Sequence, residues 1–230
     1  MTPNGLRAVL LDAGNTLLFA DPERVLSTLR EEGVEADVER FRRAEYRARL
    51  NLVEFVREGH RGTEDHVWER YFLTLFRECG VPEDRMEPVG ARLQAIHREE
   101  HLWTHVEEGT TSALNRIAEA GYRLAVISNA DGRVEALMES VGLRHHFEFV
   151  LDSGTVGVEK PDPAIFHMAV DHLALEPEEC LYVGDLFPVD VVGARRAGLQ
   201  ALLVDPFGRM AGEVDRIASV CELPDYLEAT

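Results

Sequence analysis

Lysine is almost absent from this 230-residue chain: of 24 basic residues all but one are arginine, and the exception is Lys160. A preference for arginine usually reflects genome composition, but a lysine kept against it draws attention to its position. Cysteine is also scarce. Cys79, Cys180 and Cys221 lie far apart, with no Cys-x-x-Cys pair. A disulfide framework and a cysteine zinc site are therefore not expected, and a reducing, cytoplasmic setting fits best. No apolar run approaches the ~20 residues of a membrane span. The start, Met1-Thr2-Pro3-Asn4-Gly5, lacks the charged segment, apolar stretch and cleavage site of a signal peptide. Positive charge is deficient overall: 42 acidic residues against 24 basic ones give −18. Such a surface repels nucleic acids and anionic membranes, so neither is expected as a partner. Repeats, low-complexity tracts and Ser/Gly linkers are missing too. What remains is an ordinary globular composition, 45% hydrophobic and 29% charged.

The hydrophobic pattern changes along the chain. Leu6 to Leu11 reads as a short apolar strand, and residues 22 to about 103 then read as helices. Pro22 suits a first turn, and Val25, Leu26 and Leu29 share one face. Thr63 is a candidate N-cap for a helix carrying Trp68, Tyr71, Phe72 and Phe76, which read as core packing. His97, His101 and His105 recur every four residues and would line one face if that helix ran so far; a solvated or capped face is the simpler reading. From residue 106 onward strands and helices alternate. Strands are predicted at 123–127, 147–151, 180–183 and 201–204, and helices at 110–120, 131–141, 162–174 and 189–197, with Asp131 as a cap. Short apolar strands between helices of 10–14 residues indicate βαβ units around a parallel sheet buried on both faces. The expected fold is a doubly wound α/β core of residues 1–18 and 104–230, with 19–103 inserted as a helical domain.

In an open parallel sheet, ligands bind beyond the carboxyl ends of the strands. Those ends carry Asp12-Ala13-Gly14-Asn15-Thr16, Ser128-Asn129, Lys160-Pro161-Asp162 and Gly184-Asp185, with Asp190 five residues later. Any one of these has an ordinary explanation: an aspartate or serine after a strand often closes a turn or caps a helix. Together, carboxylates, a hydroxyl, an amide and the sole lysine suit phosphoryl transfer. A carboxylate can attack phosphorus and carry the group as an acyl phosphate. Carboxylates and a backbone carbonyl can hold Mg²⁺. A hydroxyl and backbone amides can bind the remaining oxygens, and an ammonium can offset their charge.

These four motifs, in this order, resemble motifs one to four of the haloacid dehalogenase (HAD) superfamily. The resemblance covers residues 6–18 and about 104–228, and the insertion is similar in length and helicity to the family's α-helical cap. It implies a Rossmann-like core and a Mg²⁺-dependent hydrolase, with a small phosphorylated molecule as substrate. It implies Asp12 as nucleophile and metal ligand, the Gly14 carbonyl and Asp185 as further ligands, and Asp190 binding the metal directly or through water. Ser128 and Asn129 would bind the phosphoryl group, and Lys160 would orient Asp12 and neutralise charge.

One departure stands out. Family phosphatases carry a second aspartate two residues after the nucleophile, as general acid; this chain has Gly14 there. The leaving group must then depart unaided, or take a proton from the cap or from water. Otherwise the protein turns over poorly and acts by binding a phosphorylated ligand or a protein partner. Were the φ of Gly14 positive, an aspartate there would be strained. Dehalogenases also lack that acid, but they need no metal. Phosphonate hydrolases need a cap lysine, and the sole lysine lies outside the cap.

Overall fold

A computed structural model describes residues 5–57, 65–210 and 212–229. The expected cap at Thr63 and the side chain of Trp68 lie outside the described residues. The chain divides into two compact units: one runs to Leu18 and resumes at Val106, the other is Phe19–His105.

The first unit is built on six parallel strands: β1 (Ala8–Leu11), β2 (Arg123–Ser128), β3 (Val150–Asp152), β4 (Cys180–Gly184), β5 (Gln200–Val204) and β6 (Arg216–Ile217). Their order is β3-β2-β1-β4-β5-β6, the doubly wound arrangement. All four residues of β1 and all five of β4 are buried, as strands covered on both faces must be. One of those faces is a core of Ala8, Leu10, Ala125, Ile127 and Tyr182 against Ile165, Phe166 and Ala169. The connecting helices are α5 (Thr110–Glu119), α6 (Val134–Ser140), α7 (Ser153–Val156), α8 (Pro163–Leu173), α9 (Val192–Arg196) and α10 (Leu223–Ala229), numbered after the four helices of the second unit among the described residues.

Two local expectations are corrected. Asp131 does not cap α6. That role falls to Asp152, whose Oδ2 accepts from the Gly132 and Val134 amides at 3.0 and 3.2 Å, while Asp131 pairs with Arg133. The helix expected at 189–197 is preceded by a π-helical turn, Phe187–Val191, and becomes α-helical only at Val192. Such wide turns often mark functional sites.

The second unit consists of α1 (Pro22–Glu31), α2 (Val38–Arg57), α3 (Asp65–Cys79) and α4 (Glu83–Glu100). Asp21 caps α1 by accepting from the Glu23 and Arg24 amides. Leu29, Phe41, Ala48, Leu75, Phe76 and Leu93 form its core. Within it Arg49 pairs with Glu45, which also accepts from the Tyr71 hydroxyl at 3.1 Å. Helix α4 stops at Glu100, and His101 turns away at φ 64°, so His105 does not continue the expected histidine face. His97 and His101 instead accept from the Leu102 and Trp103 amides through Nδ1. Leu75 is wholly buried. Leu75→Ala is expected to destabilise this unit by about 2–5 kcal/mol, read from a urea unfolding curve. No helix among the described residues is long and apolar enough to cross a membrane.

Candidate active site

The sheet order sets β1 between β2 and β4, so the chain diverges on either side of β1. Such a divergence opens a crevice at the carboxyl ends of the strands. Asp12 follows β1 and extends its pairing, its amide donating to the Val183 carbonyl at 2.8 Å. Beyond it the chain turns tightly: the Leu17 and Leu18 amides both donate to the Ala13 carbonyl, at 2.9 and 2.8 Å. The left-handed residue of this turn is Asn15, at φ 53°, a residue type that tolerates that conformation. Gly14 is not among the positive-φ glycines, and a Cβ built on it meets nothing within 4 Å. Position 14 therefore sets no backbone strain against an aspartate.

Lys160 sits between three acceptors. Its Nζ donates to Asp12 Oδ1 at 2.7 Å, to the Tyr182 hydroxyl at 2.7 Å and to Asp190 Oδ1 at 2.8 Å. The lysine side chain is 2% exposed. Burial works against its charge, but Asp12 and Asp190 outweigh that and hold its pKa above the usual lysine range. Burial also pushes the Asp12 carboxyl up to about 6; Lys160 opposes the rise and Asp190 reinforces it.

Asp190 is held through both oxygens. Its Oδ1 takes the lysine, and its Oδ2 accepts from the Leu186 amide at 2.8 Å. The π-helical turn brings this carboxylate back over Gly184, where a Cβ would stand 2.4 Å from Asp190 Cγ. Only glycine fits position 184. Asp185 follows at once, 2% exposed. One carboxylate oxygen from each of Asp12, Asp185 and Asp190 lies within 4.8 Å of the others. Three carboxylates thus gather around one ammonium, leaving these four groups with two negative charges in excess. A buried set of hard oxygen donors with that excess fits a hard divalent cation such as Mg²⁺. Thr16 Oγ1 is buried without a hydrogen-bond partner.

Ser128 ends β2 and is buried. Asn129, expected to meet the phosphoryl group, turns its side chain elsewhere. Its Nδ2 donates to the Lys160 carbonyl and its Oδ1 accepts from the Lys160 amide, both at 2.8 Å. The side chain is a clamp on the lysine backbone. Asn129→Ala should cost about 1–3 kcal/mol, because it leaves both backbone groups without this partner; a urea unfolding midpoint measures it. Ala130 is held similarly, its amide donating to Ser153 Oγ at 3.0 Å. Tyr182, read from sequence only as part of a strand, joins the site through its hydroxyl. The clue available was a phenol within the apolar run Cys180-Leu181-Tyr182-Val183.

The haloacid dehalogenase-like hydrolase family matches residues 6–198. The chain belongs to that family. Among relatives of this HAD-like hydrolase is mouse haloacid dehalogenase-like hydrolase domain-containing protein 3, 38% identical over 143 residues, 62% of this chain. The match spans only 57% of that relative's length. Glyceraldehyde 3-phosphate phosphatase from Methanopyrus kandleri is 32% identical over 203 residues, 84% of this chain and 82% of that protein. A crystallised dehalogenase with intermediate complex superposes with a TM-score of 0.67 at 22% identity, covering 98% of each chain; this likeness is one of fold.

Proposed function

We propose that this HAD-like hydrolase is a Mg²⁺-dependent phosphatase acting on small phosphate esters through an aspartyl-phosphate on Asp12. The observation that carries the reading is the pairing of Asp12 Oδ1 with the buried Lys160 inside a cluster of three carboxylates. Lys160 occupies one oxygen of Asp12 and leaves Oδ2 as the attacking atom. The Oδ2–phosphorus bond forms as the ester phosphorus–oxygen bond breaks, and the leaving oxygen takes its proton from water. A second water then attacks phosphorus, releasing inorganic phosphate and restoring Asp12. The Ser128 hydroxyl and the Asn129 backbone amide bind the phosphoryl oxygens.

Asp12, Asp185 and the Gly14 carbonyl would hold Mg²⁺, with Asp190 binding it directly or through water. When bound, the ion would offset the charge of the phosphoryl group and polarise its oxygens. The Methanopyrus kandleri phosphatase, alike over 84% of the chain, supports a phosphate ester as substrate. We assign the helical segment following Leu18 as a cap that selects among such esters.

A panel of phosphate esters assayed with Mg²⁺ and with EDTA tests the reading. Turnover should require the metal, and Asp185→Ala should reduce it to background while the protein stays folded. Persistent activity in EDTA would point to a metal-free mechanism. Gly14 favours a second reading, a weak member of the family that binds a phosphorylated ligand or a protein partner. A wild type that binds Mg²⁺ yet hydrolyses no ester would support it.

A further inference from the structure

An ammonium has three protons, and at Lys160 each has its own acceptor. Two acceptors, Asp12 and Asp190, are carboxylates of the motifs. The third, the Tyr182 hydroxyl, is neutral and lies midway along β4. Tyr182 is wholly buried, its ring packed edge-on against Phe166 at 5.0 Å. A buried phenol needs a partner for its own proton. The Ile127 carbonyl supplies one at 3.0 Å, closer than Asp190 Oδ1 at 3.3 Å. With that proton directed to Ile127, the hydroxyl oxygen turns its lone pairs to Lys160. Ile127 immediately precedes Ser128, and the Asn129 side chain grips the lysine backbone. The lysine is thus tied at both ends to the strand terminus that carries Ser128 and Asn129.

We propose that Tyr182 is a positioning residue: its hydroxyl takes the third proton of Lys160, keeps the ammonium on Asp12 Oδ1, and so reserves the other carboxylate oxygen for attack. This inference rests on the assignment of Asp12 as nucleophile. Without the hydroxyl, the ammonium keeps two carboxylate acceptors and loses the contact that orients it between them.

Because Lys160 is the sole lysine, ¹⁵N-lysine labelling gives a single side-chain ammonium resonance. In the wild type its protons should exchange with water far more slowly than those of free lysine, and they should show an Overhauser contact to a tyrosine ring. Tyr182→Phe should shift that resonance and speed its exchange. With p-nitrophenyl phosphate and saturating Mg²⁺, the variant's kcat should fall about ten- to hundredfold, the effect of one lost hydrogen bond to a charged group, while KM stays within about twofold. A wild-type ammonium that exchanges like free lysine overturns the proposal, whether or not the variant folds. So does a variant kcat within twofold of an active wild type, or a loss of kcat with the ammonium resonance unmoved. A wild type that hydrolyses no ester but shows the protected ammonium overturns the phosphatase reading and removes the reaction Tyr182 would serve; the other failures overturn this inference alone.

Discussion

Asp12→Asn should lower ester hydrolysis by at least about 10⁴-fold, the scale on which loss of a nucleophile acts, without destabilising the fold. The amide oxygen can still accept from Lys160, so the hydrogen bond seen at 2.7 Å survives the change. What disappears is a carboxylate able to form a bond to phosphorus. The stability effect should run opposite to that of most buried substitutions. The folded-state pKa of Asp12, about 6, lies above its ordinary value of 3.8. The folded protein therefore holds that proton more tightly than the unfolded chain does, and ionising Asp12 costs stability as pH rises above 3.8. At pH 8 without divalent cation, the neutral asparagine removes that cost, and the melting temperature should hold or rise. Added Mg²⁺ should then raise the wild-type melting temperature by mass action and raise the variant's less. A calorimetric scan with and without Mg²⁺ measures both. A variant that melts well below the wild type under metal-free conditions would refute the charge argument, even if activity were lost.

Gly14→Asp should change which esters are hydrolysed. General acid assistance contributes about 10²–10⁴-fold, and only substrates whose leaving group needs a proton benefit. Aryl and acyl phosphates, with weakly basic leaving groups, should gain little. Alkyl phosphates such as sugar phosphates should gain up to that full range. The structure makes this a cleaner experiment than the sequence suggests, since position 14 has no positive φ and its Cβ direction is open. The one remaining complication is a further negative charge beside Asp12, which affects both ester classes. The ratio of alkyl to aryl kcat/KM is therefore the quantity to measure. A ratio unchanged by the substitution would mean that another group already supplies the proton.

The arrangement of the core was legible because parallel strands buried on both faces carry nearly continuous apolar runs, as in Leu6–Leu11 and Leu124–Ile127. β6 was not, since two residues, Arg216 and Ile217, show no periodicity. The π-helical turn at Phe187–Val191 was also hidden: Val189, Val191 and Val192 suit a helix of either width, and the choice follows from the Asp190 carboxylate returning to the Leu186 amide. In the site, the chemical types were readable but their hydrogen bonds were not. Asn129 lies beside Ser128 in sequence, yet its amide serves the backbone of a residue 31 positions away. Tyr182 meets the ammonium of a residue 22 positions away. Side-chain partners this distant in sequence leave no local trace.

The central place of β1 also bears on how the chain folds. Its neighbours begin near Arg123 on one side and Cys180 on the other, so the strand emerges from the ribosome well before either is made. Pairings this distant in sequence form slowly and leave an apolar segment open to wrong partners in the interval. The helical unit shortens the search. Phe19 and His105 exchange backbone hydrogen bonds at 2.8 and 3.0 Å, so once that unit closes, its 87 residues enter and leave at one point. The loop that remains between β1 and β2 is then effectively short, and the entropy of closing it falls accordingly. Variants that loosen the Phe19–His105 junction should therefore slow refolding of the sheet more than they lower its final stability.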